Sequence, residues 1–68
     1  MRVLGIDPGS VATGYGVVEC RGRSYRLVTC GCLRPDPKMP FSRRLVRIYD
    51  GLIELVAEFG PEVAAVEA

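Results

Sequence analysis

Apolar residues follow two different spacings along the chain, and the change of spacing separates strands from a helix. Short apolar runs at 2–7, 14–20 and 24–33 are typical of strands, and the first is apolar on both faces, as in a covered central strand. A turn centred on Gly22 joins the second run to the third and predicts an antiparallel hairpin. A run of small apolar residues at 62–67 predicts a fourth strand.

The segment 43–59 has the spacing of a helix. A proline-rich loop at 34–41 precedes it, Ser42 is a suitable N-cap, and Gly60 followed by Pro61 is typical of a helix end. The spacing predicts that one apolar stripe faces the sheet, formed by Leu45, Ile48, Tyr49, Leu52, Val56 and Phe59.

Two glycines interrupt these elements. Gly51 lies in the middle of the helix, where glycine is about 1 kcal/mol less favourable than alanine, so it indicates a close approach to a neighbouring element. Gly31 lies inside the third strand and indicates a bulge or a bend.

The order β-β-β-α-β predicts an α/β fold with a partial mixed sheet and one crossover helix. A right-handed crossover over the hairpin makes the fourth strand parallel to the first and pairs it with the first, so the spatial order is 3-2-1-4. The chain stops directly after the apolar fourth strand. We therefore expect residues 1–68 to be the N-terminal part of one domain, truncated after the fourth strand.

Composition and charge narrow the class of protein. The chain has 68 residues, of which 49% are hydrophobic, and no apolar run has the length of a membrane span or a signal peptide. A cytoplasmic protein without membrane contact is expected. Residues 1–47 hold nine basic and three acidic residues, whereas residues 48–68 hold five acidic residues and no basic one. A basic first part suits a polyanionic partner, but it also suits a solvated helix face formed by Arg43, Arg44 and Arg47.

The three cysteines do not indicate a disulfide or a zinc site. The hairpin register places Cys20 opposite Tyr25, and Cys30 lies too far along the third strand to bond to Cys20. Three thiols without a histidine or a fourth cysteine are a poor zinc ligand set. We expect Cys20, Cys30 and Cys32 to be reduced, half-buried strand residues.

Two isolated acids end two strands of the predicted sheet, Asp7 the first strand and Glu67 the fourth. Neighbouring parallel strands finish at the same end of a sheet, where open α/β sheets bind ligands. Two carboxylates held this close repel, and a cation between them relieves the repulsion; oxygen ligands favour Mg²⁺ or Mn²⁺. Taken singly, each acid has a plainer interpretation, Asp7 as a turn residue before Pro8 and Glu67 as a solvated strand end.

One motif is more specific than the acids. The signature "GIDPGS…TGYGV", followed by "GCLRP", "SRRLVRIYDGLIELVAEF" and a strand ending in "VE", resembles the RuvC family of bacterial Holliday-junction resolvases, which belongs to the ribonuclease H-like superfamily. The resemblance implies a Mg²⁺-dependent endonuclease that hydrolyses phosphodiester bonds in four-way DNA junctions during recombination and repair. It also implies that Asp7 and Glu67 are metal ligands and the first two of four catalytic acids, with two ions (Mg²⁺ or Mn²⁺) in the complete site.

The resemblance further implies a homodimer that works with the RuvA–RuvB branch-migration complex. The other two acids and the main dimer helix of that family lie outside these residues, so the fragment alone is expected to be inactive. Arg34 and Lys38 could contact phosphates or could simply solubilise their loop.

Three alternatives share part of the pattern. ATP-binding domains of the sugar kinase, actin and Hsp70 type begin with a similar strand, Asp-x-Gly turn and hairpin, and Asp7 would then position Mg-ATP. Resolvase homologues of the YqgF type share the same start. A purely structural domain would make both acids bystanders. The acidic side chain of Glu67 at the end of the fourth strand fits a metal-dependent nuclease better than an ATP-binding domain.

Overall fold

The computed structural model describes residues 1–9 and 11–67. The strands lie in the predicted order β3-β2-β1-β4, with β1 antiparallel to β2 and parallel to β4. No helix in the described part of the chain is long and apolar enough to cross a membrane. The elements are β1 (Arg2–Asp7), β2 (Thr13–Arg21), β3 (Ser24–Leu33), α1 (Phe41–Phe59) and β4 (Val63–Val66).

The two faces of the sheet differ in side-chain size. Leu4 and Val17 lie opposite each other and are 1% and 0% exposed, and with Leu55 of α1 they form the buried apolar core of the described residues. We call their side the helix face, because α1 covers it. The other side, which we call the open face, carries small residues near the carboxyl end of β1, namely Gly5, Gly14, Gly16, Cys30, Cys32 and Ala65.

The ladder between β2 and β3 contains one extra residue. Val17 pairs with Thr29 and Val18 pairs with Leu27, so Val28 forms a bulge. The extra residue interrupts the alternation of faces in β3, because Leu27 and Thr29, two positions apart, pair with the adjacent residues Val18 and Val17.

The prediction of a bulge or bend at Gly31 is wrong. Gly31 pairs regularly with Tyr15. A Cβ atom at Gly31 would lie 2.7 Å from the Tyr15 hydroxyl oxygen and 3.0 Å from its Cζ atom. Glycine is therefore needed here because the tyrosine ring lies across the strand, not because the strand bends.

The hairpin turn and the cysteines follow the expected register. Gly22 has a φ of 59°, a conformation that favours glycine, and Cys20 pairs with Tyr25. All three cysteines are free, and Cys20 is half-buried as predicted. Cys30 and Cys32 are instead exposed, because they lie on the open face, which no other described element covers.

The helix begins earlier than the sequence predicts. Pro40 is the N-cap and makes no side-chain capping bond, so the prediction of Ser42 as N-cap is wrong and Ser42 lies within the first turn. The Pro40 carbonyl oxygen accepts hydrogen bonds from the backbone N–H groups of Arg43 and Arg44, at 3.0 Å each. A proline suits this position because its φ is already close to helical and it has no N–H group to satisfy.

The end of the helix agrees with the prediction. Gly60 has a left-handed φ of 56°, and its N–H group donates to the Val56 carbonyl oxygen at 3.0 Å. No basic residue lies in the last turn. The Arg2 guanidinium of β1 supplies the positive charge instead, because its Nη1 atom donates to the Phe59 carbonyl oxygen at 2.9 Å.

The predicted apolar stripe of α1 is only partly correct. Ile48, Leu52 and Phe59 are half-buried, but Leu55, absent from the predicted stripe, is the buried helix residue. The helix is rotated relative to the predicted orientation, because Gly51 lies against Leu33 of β3. The side of the helix that carries Gly51 and Leu55 therefore faces the sheet. Several predicted members of the stripe and other apolar residues are exposed, namely Phe41, Leu45, Val46, Tyr49, Ile53 and Val56.

The strand β4 lies at the edge of the sheet and is exposed at all four positions. Val63 and Val66 are 47% and 63% exposed. The prediction of a fourth strand paired with the first is confirmed, but within the described residues β4 has only β1 beside it.

Candidate active site at the carboxyl end of the sheet

Asp7 and Glu67 lie side by side where β1 and β4 finish. Ile6 pairs with Val66, and the backbone N–H of Glu67 donates to the Ile6 carbonyl oxygen at 3.0 Å. Glu67 therefore extends the ladder by one step and lies next to Asp7. Both residues are exposed and line one cavity of about 650 Å³, as the crossover topology predicts.

The floor of this cavity is made of small residues in register with the acids. Gly14 of β2 pairs with Asp7, and Cys32 of β3 pairs with Gly14. Sequence reasoning did not include Gly14 or Cys32 in the site. The turn at Gly22 could not have identified Cys32, because its register carried without a shift would place Gly31 opposite Gly14, and the bulge at Val28 moves the partner to Cys32.

The backbone after Asp7 turns tightly away from the sheet. Pro8 cannot donate to the ladder, so β1 ends at Asp7. A Cβ atom on Gly9 would overlap the Ala12 carbonyl oxygen, so only glycine fits there. The predicted turn thus exposes the Asp7 carboxylate at the mouth of the cavity; Ser10 of the signature lies outside the described residues.

The donor set suits a hard cation but is incomplete for two ions. Asp7 and Glu67 offer carboxylate oxygens, which are the ligands that Mg²⁺ and Mn²⁺ prefer. Among residues 1–9 and 11–67, no group of three or more His, Cys, Asp or Glu side chains could hold a metal ion. The two acids fit part of such a site, and further oxygen ligands are needed to complete it.

Basic residues lie at the same end of the sheet. Leu33 pairs with Thr13, so β3 finishes near the start of β2 and the following loop begins at the carboxyl end. That loop carries Arg34 and Lys38, and the Lys38 N–H donates to the Asp36 carboxylate at 2.9 Å. Positive charge is therefore available at the same end of the sheet as the acids for a polyanionic ligand.

Comparison with known proteins settles the family. The family model described as "Crossover junction endodeoxyribonuclease RuvC" matches residues 3–68. The chain belongs to the RuvC family. The match favours this family over the ATP-binding domains and the YqgF-type homologues, and it confirms the resemblance carried by the signature around Asp7.

The relatives are similar along the whole chain but are longer. The RuvC of Desulforamulus reducens is 45% identical over 67 residues, which are 98% of this chain and 41% of that protein. The RuvC of Halorhodospira halophila is 54% identical over 66 residues, 97% of this chain and 39% of that protein. This chain therefore spans about two-fifths of the length of these curated relatives.

Two solved structures share the fold. The Thermus thermophilus RuvC structure superposes with a TM-score of 0.89 at 37% identity, covering 100% of this chain and 43% of that one. The same protein in complex with Holliday junction substrate gives a TM-score of 0.91 at 38% identity, covering 100% and 42%. The ribonuclease H-like fold of RuvC is thus confirmed for this chain.

Proposed function

We propose that residues 1–68 form the first part of the catalytic domain of a RuvC-type endonuclease that resolves four-way DNA junctions. The placement of Asp7 and Glu67 side by side, at the carboxyl end of neighbouring parallel strands, carries the proposal. Membership of the RuvC family supports it, as does the solved complex of Thermus thermophilus RuvC with a Holliday junction substrate.

Asp7 and Glu67 are the proposed catalytic residues and metal ligands. Mg²⁺ or Mn²⁺, two ions in the complete site, would make the attacking water more acidic and stabilise the charge on the leaving oxygen. The chain itself sets the distance between the two carboxylates, because the hydrogen bond from the Glu67 N–H to the Ile6 carbonyl holds Glu67 at the ladder position next to Asp7. Two carboxylates are too few for two ions, so the remaining ligands come from the additional length that RuvC relatives have.

The proposed partners follow from the family and from the charge near the site. Four-way junction DNA is the substrate, and Arg34 and Lys38 supply phosphate contacts whose strength depends on salt. The complete protein is a cytoplasmic homodimer that works with the RuvA–RuvB branch-migration complex. These partners belong to the complete enzyme and not to the segment alone.

A chimera tests the proposal. Residues 1–68 replace the equivalent segment of Thermus thermophilus RuvC, on which they superpose along their whole length. We expect the chimera to cut a four-way junction in Mg²⁺. Asp7→Asn and Glu67→Gln are each expected to slow cleavage by about 100-fold or more, while junction binding without divalent ions is retained.

Asp50→Asn is the matched control, because it removes an exposed carboxylate of α1. It is expected to cleave like the parent chimera. Unchanged cleavage in a folded Asp7→Asn or Glu67→Gln chimera would remove these acids from the mechanism. Loss of binding together with cleavage would indicate a structural role instead.

A further inference from the structure

Three glycines of the open face, Gly5, Gly14 and Gly16, are required by nothing within the described residues. Of these three, Gly14 is the one that pairs with Asp7. Five other glycines have an internal reason: a positive φ at Gly22 and Gly60, a crowding side chain at Gly31 and Gly51, and a crowding backbone carbonyl at Gly9. Gly14 has none of these reasons, because its φ is not positive and an added Cβ would meet nothing closer than 3.7 Å. An alanine would therefore fit the isolated strand.

Glycine at this position has a cost for folding. Glycine in a strand interior is less favourable than alanine because it loses more backbone freedom and has no side chain to pack. A glycine inside a strand often marks a place where a ligand or another backbone comes close. Among the three open-face glycines, Gly14 is the one beside a candidate catalytic residue, Asp7. The position of Gly14 in the sheet shows which residues border that place.

Gly14 lies on the flank of Asp7 that faces away from Glu67. The ladder across the open face runs Glu67, Asp7, Gly14, Cys32, and these residues line the same cavity. The Cβ atom that Gly14 lacks would lie 3.7 Å from the Asp7 Cβ atom. The missing side chain therefore leaves a trough between the Asp7 carboxylate and the Cys32 thiol.

The chemistry of the trough argues against a metal ion as its occupant. Hard cations seek oxygen ligands, which lie on the Glu67 side of Asp7. On the other side Gly14 offers no side-chain donor, and the Cys32 thiol is a soft ligand that suits neither Mg²⁺ nor Mn²⁺. A group that is carried by the substrate, and that needs space beside Asp7 rather than a ligand from the trough, fits better.

We propose that Gly14 is a positioning residue that keeps the flank of Asp7 free for the phosphodiester group of the substrate. The inference rests on the proposed nuclease function and deepens it. A methyl group in the trough would displace the phosphate from the water held near the carboxylates. Misplacement of reacting groups by about 1 Å can slow a reaction by about 100-fold, even when most binding contacts remain.

Gly14→Ala in the Thermus thermophilus chimera tests this role. We expect single-turnover cleavage to fall by about tenfold or more, while the junction dissociation constant without divalent ions stays within about twofold. Mn²⁺ binding, measured by electron paramagnetic resonance, should match that of the parent. Gly16→Ala is the matched control, since it adds the same methyl group to the same face of β2, two residues further along the strand. The added Cβ atom would lie 3.9 Å from the Cys30 Cβ atom.

Two outcomes would overturn the inference. Cleavage by a folded Gly14→Ala chimera at the parent rate would show that the space is not needed. Loss of Mn²⁺ binding in parallel with cleavage would show that Gly14 supports the Asp7 carboxylate and not the phosphate.

A chemical probe fills the trough from its other side, after the protein has folded. Methyl methanethiosulfonate converts a cysteine thiolate to a methyl disulfide and releases methanesulfinate, and dithiothreitol reverses the change. We expect modification of Cys32, in a chimera with every other cysteine replaced by serine, to slow cleavage reversibly by about tenfold. Modification of Cys30 in the equivalent single-cysteine chimera is the control, because Cys30 pairs with Gly16 one row away.

Full cleavage with completely modified Cys32, confirmed by mass spectrometry, would count against the inference, and so would equal inhibition from Cys30. Failure of the proposed function looks different. In that case the parent chimera does not cleave, or the Asp7→Asn chimera cleaves normally, and both the nuclease function and the role of Gly14 are wrong. If Asp7→Asn is inactive while Gly14→Ala and modified Cys32 cleave at the parent rate, only the Gly14 inference is lost.

Discussion

The side chain of Leu33 lies so close to Gly51 that a Cβ atom there would be 2.9 Å from the Leu33 Cδ2 atom. This contact sets the rotation of α1 over β3. It confirms the prediction that the mid-helix glycine marks a close approach. It also explains why Leu55, four positions further along the helix, is buried.

Gly51→Val in the chimera is expected to reduce the free energy of unfolding by roughly 1–3 kcal/mol, because the added methyl groups overlap Leu33. Leu33→Ala in the same background should restore part of the loss by making room. Urea denaturation of the four proteins of this double-mutant cycle measures the coupling. Ala57→Val, at an exposed helix position, is the control, and an equal loss there would contradict the packing argument.

Arg2 joins β1 to the end of α1, and its removal should destabilise the fold. Its Nη1 atom donates to the Phe59 carbonyl oxygen at 2.9 Å, and its Nε atom lies 3.3 Å from the Glu19 carboxylate. We expect Arg2→Gln to lower the free energy of unfolding by roughly 1–3 kcal/mol, as charged hydrogen bonds commonly contribute. Arg23→Gln in the exposed hairpin turn should change it by less than about 0.5 kcal/mol.

Glu19 makes stability depend on pH. Its partial burial acts to raise its pKa, but the N-terminal ammonium, Arg2 and Arg21 outweigh this and hold the pKa below the ordinary value of 4.5. A carboxyl with a lowered pKa stabilises the fold above its ordinary pKa. That stabilisation is lost as the pH falls through the lowered value.

We therefore expect the melting temperature of the chimera to fall below pH 4.5, and Glu19→Gln to make this part of the pH profile flatter. Glu54→Gln, an exposed acid of α1, is the matched control. If the two variants have identical profiles in acid, the ion pairs around Glu19 do not contribute.

The 68-residue chain alone is expected not to nick a four-way junction in Mg²⁺. Only two carboxylates come together at the carboxyl end, and the described residues contain no larger group of metal ligands. A gel-based nicking assay at high protein concentration, with the chimera as positive control, measures this. Robust Mg²⁺-dependent nicking by the chain itself would contradict the expectation.

The sequence was sufficient to predict the strands and the pairing that brings the acids together. Alternation and turn residues are local signals, and a right-handed crossover that passes over the hairpin pairs β4 with β1. Asp7 and Glu67 were therefore placed correctly at one end of the sheet. The agreement concerns their position. Their catalytic role stays a prediction until cleavage is measured.

Other features depended on contacts that spacing does not encode. Apolar residues cover more than one side of α1, so periodicity alone did not show that Leu55 rather than Tyr49 faces the sheet. The bulge at Val28 and the cap at Pro40 depend on register and loop geometry. The place of Gly14 beside Asp7 depends on the register between β1 and β2, and the place of Cys32 depends in addition on the bulge in β3.

The exposed edge strand β4 has a consequence for handling the isolated chain. Within the described residues no strand pairs with its outer backbone groups, and the side chains of Val63 and Val66 are exposed to solvent. Such an edge is a template for pairing with another copy, and exposed apolar side chains such as Tyr49 add to the attraction. The purified segment should therefore aggregate as its concentration rises, and a lysine placed at Ala64 should keep it in solution.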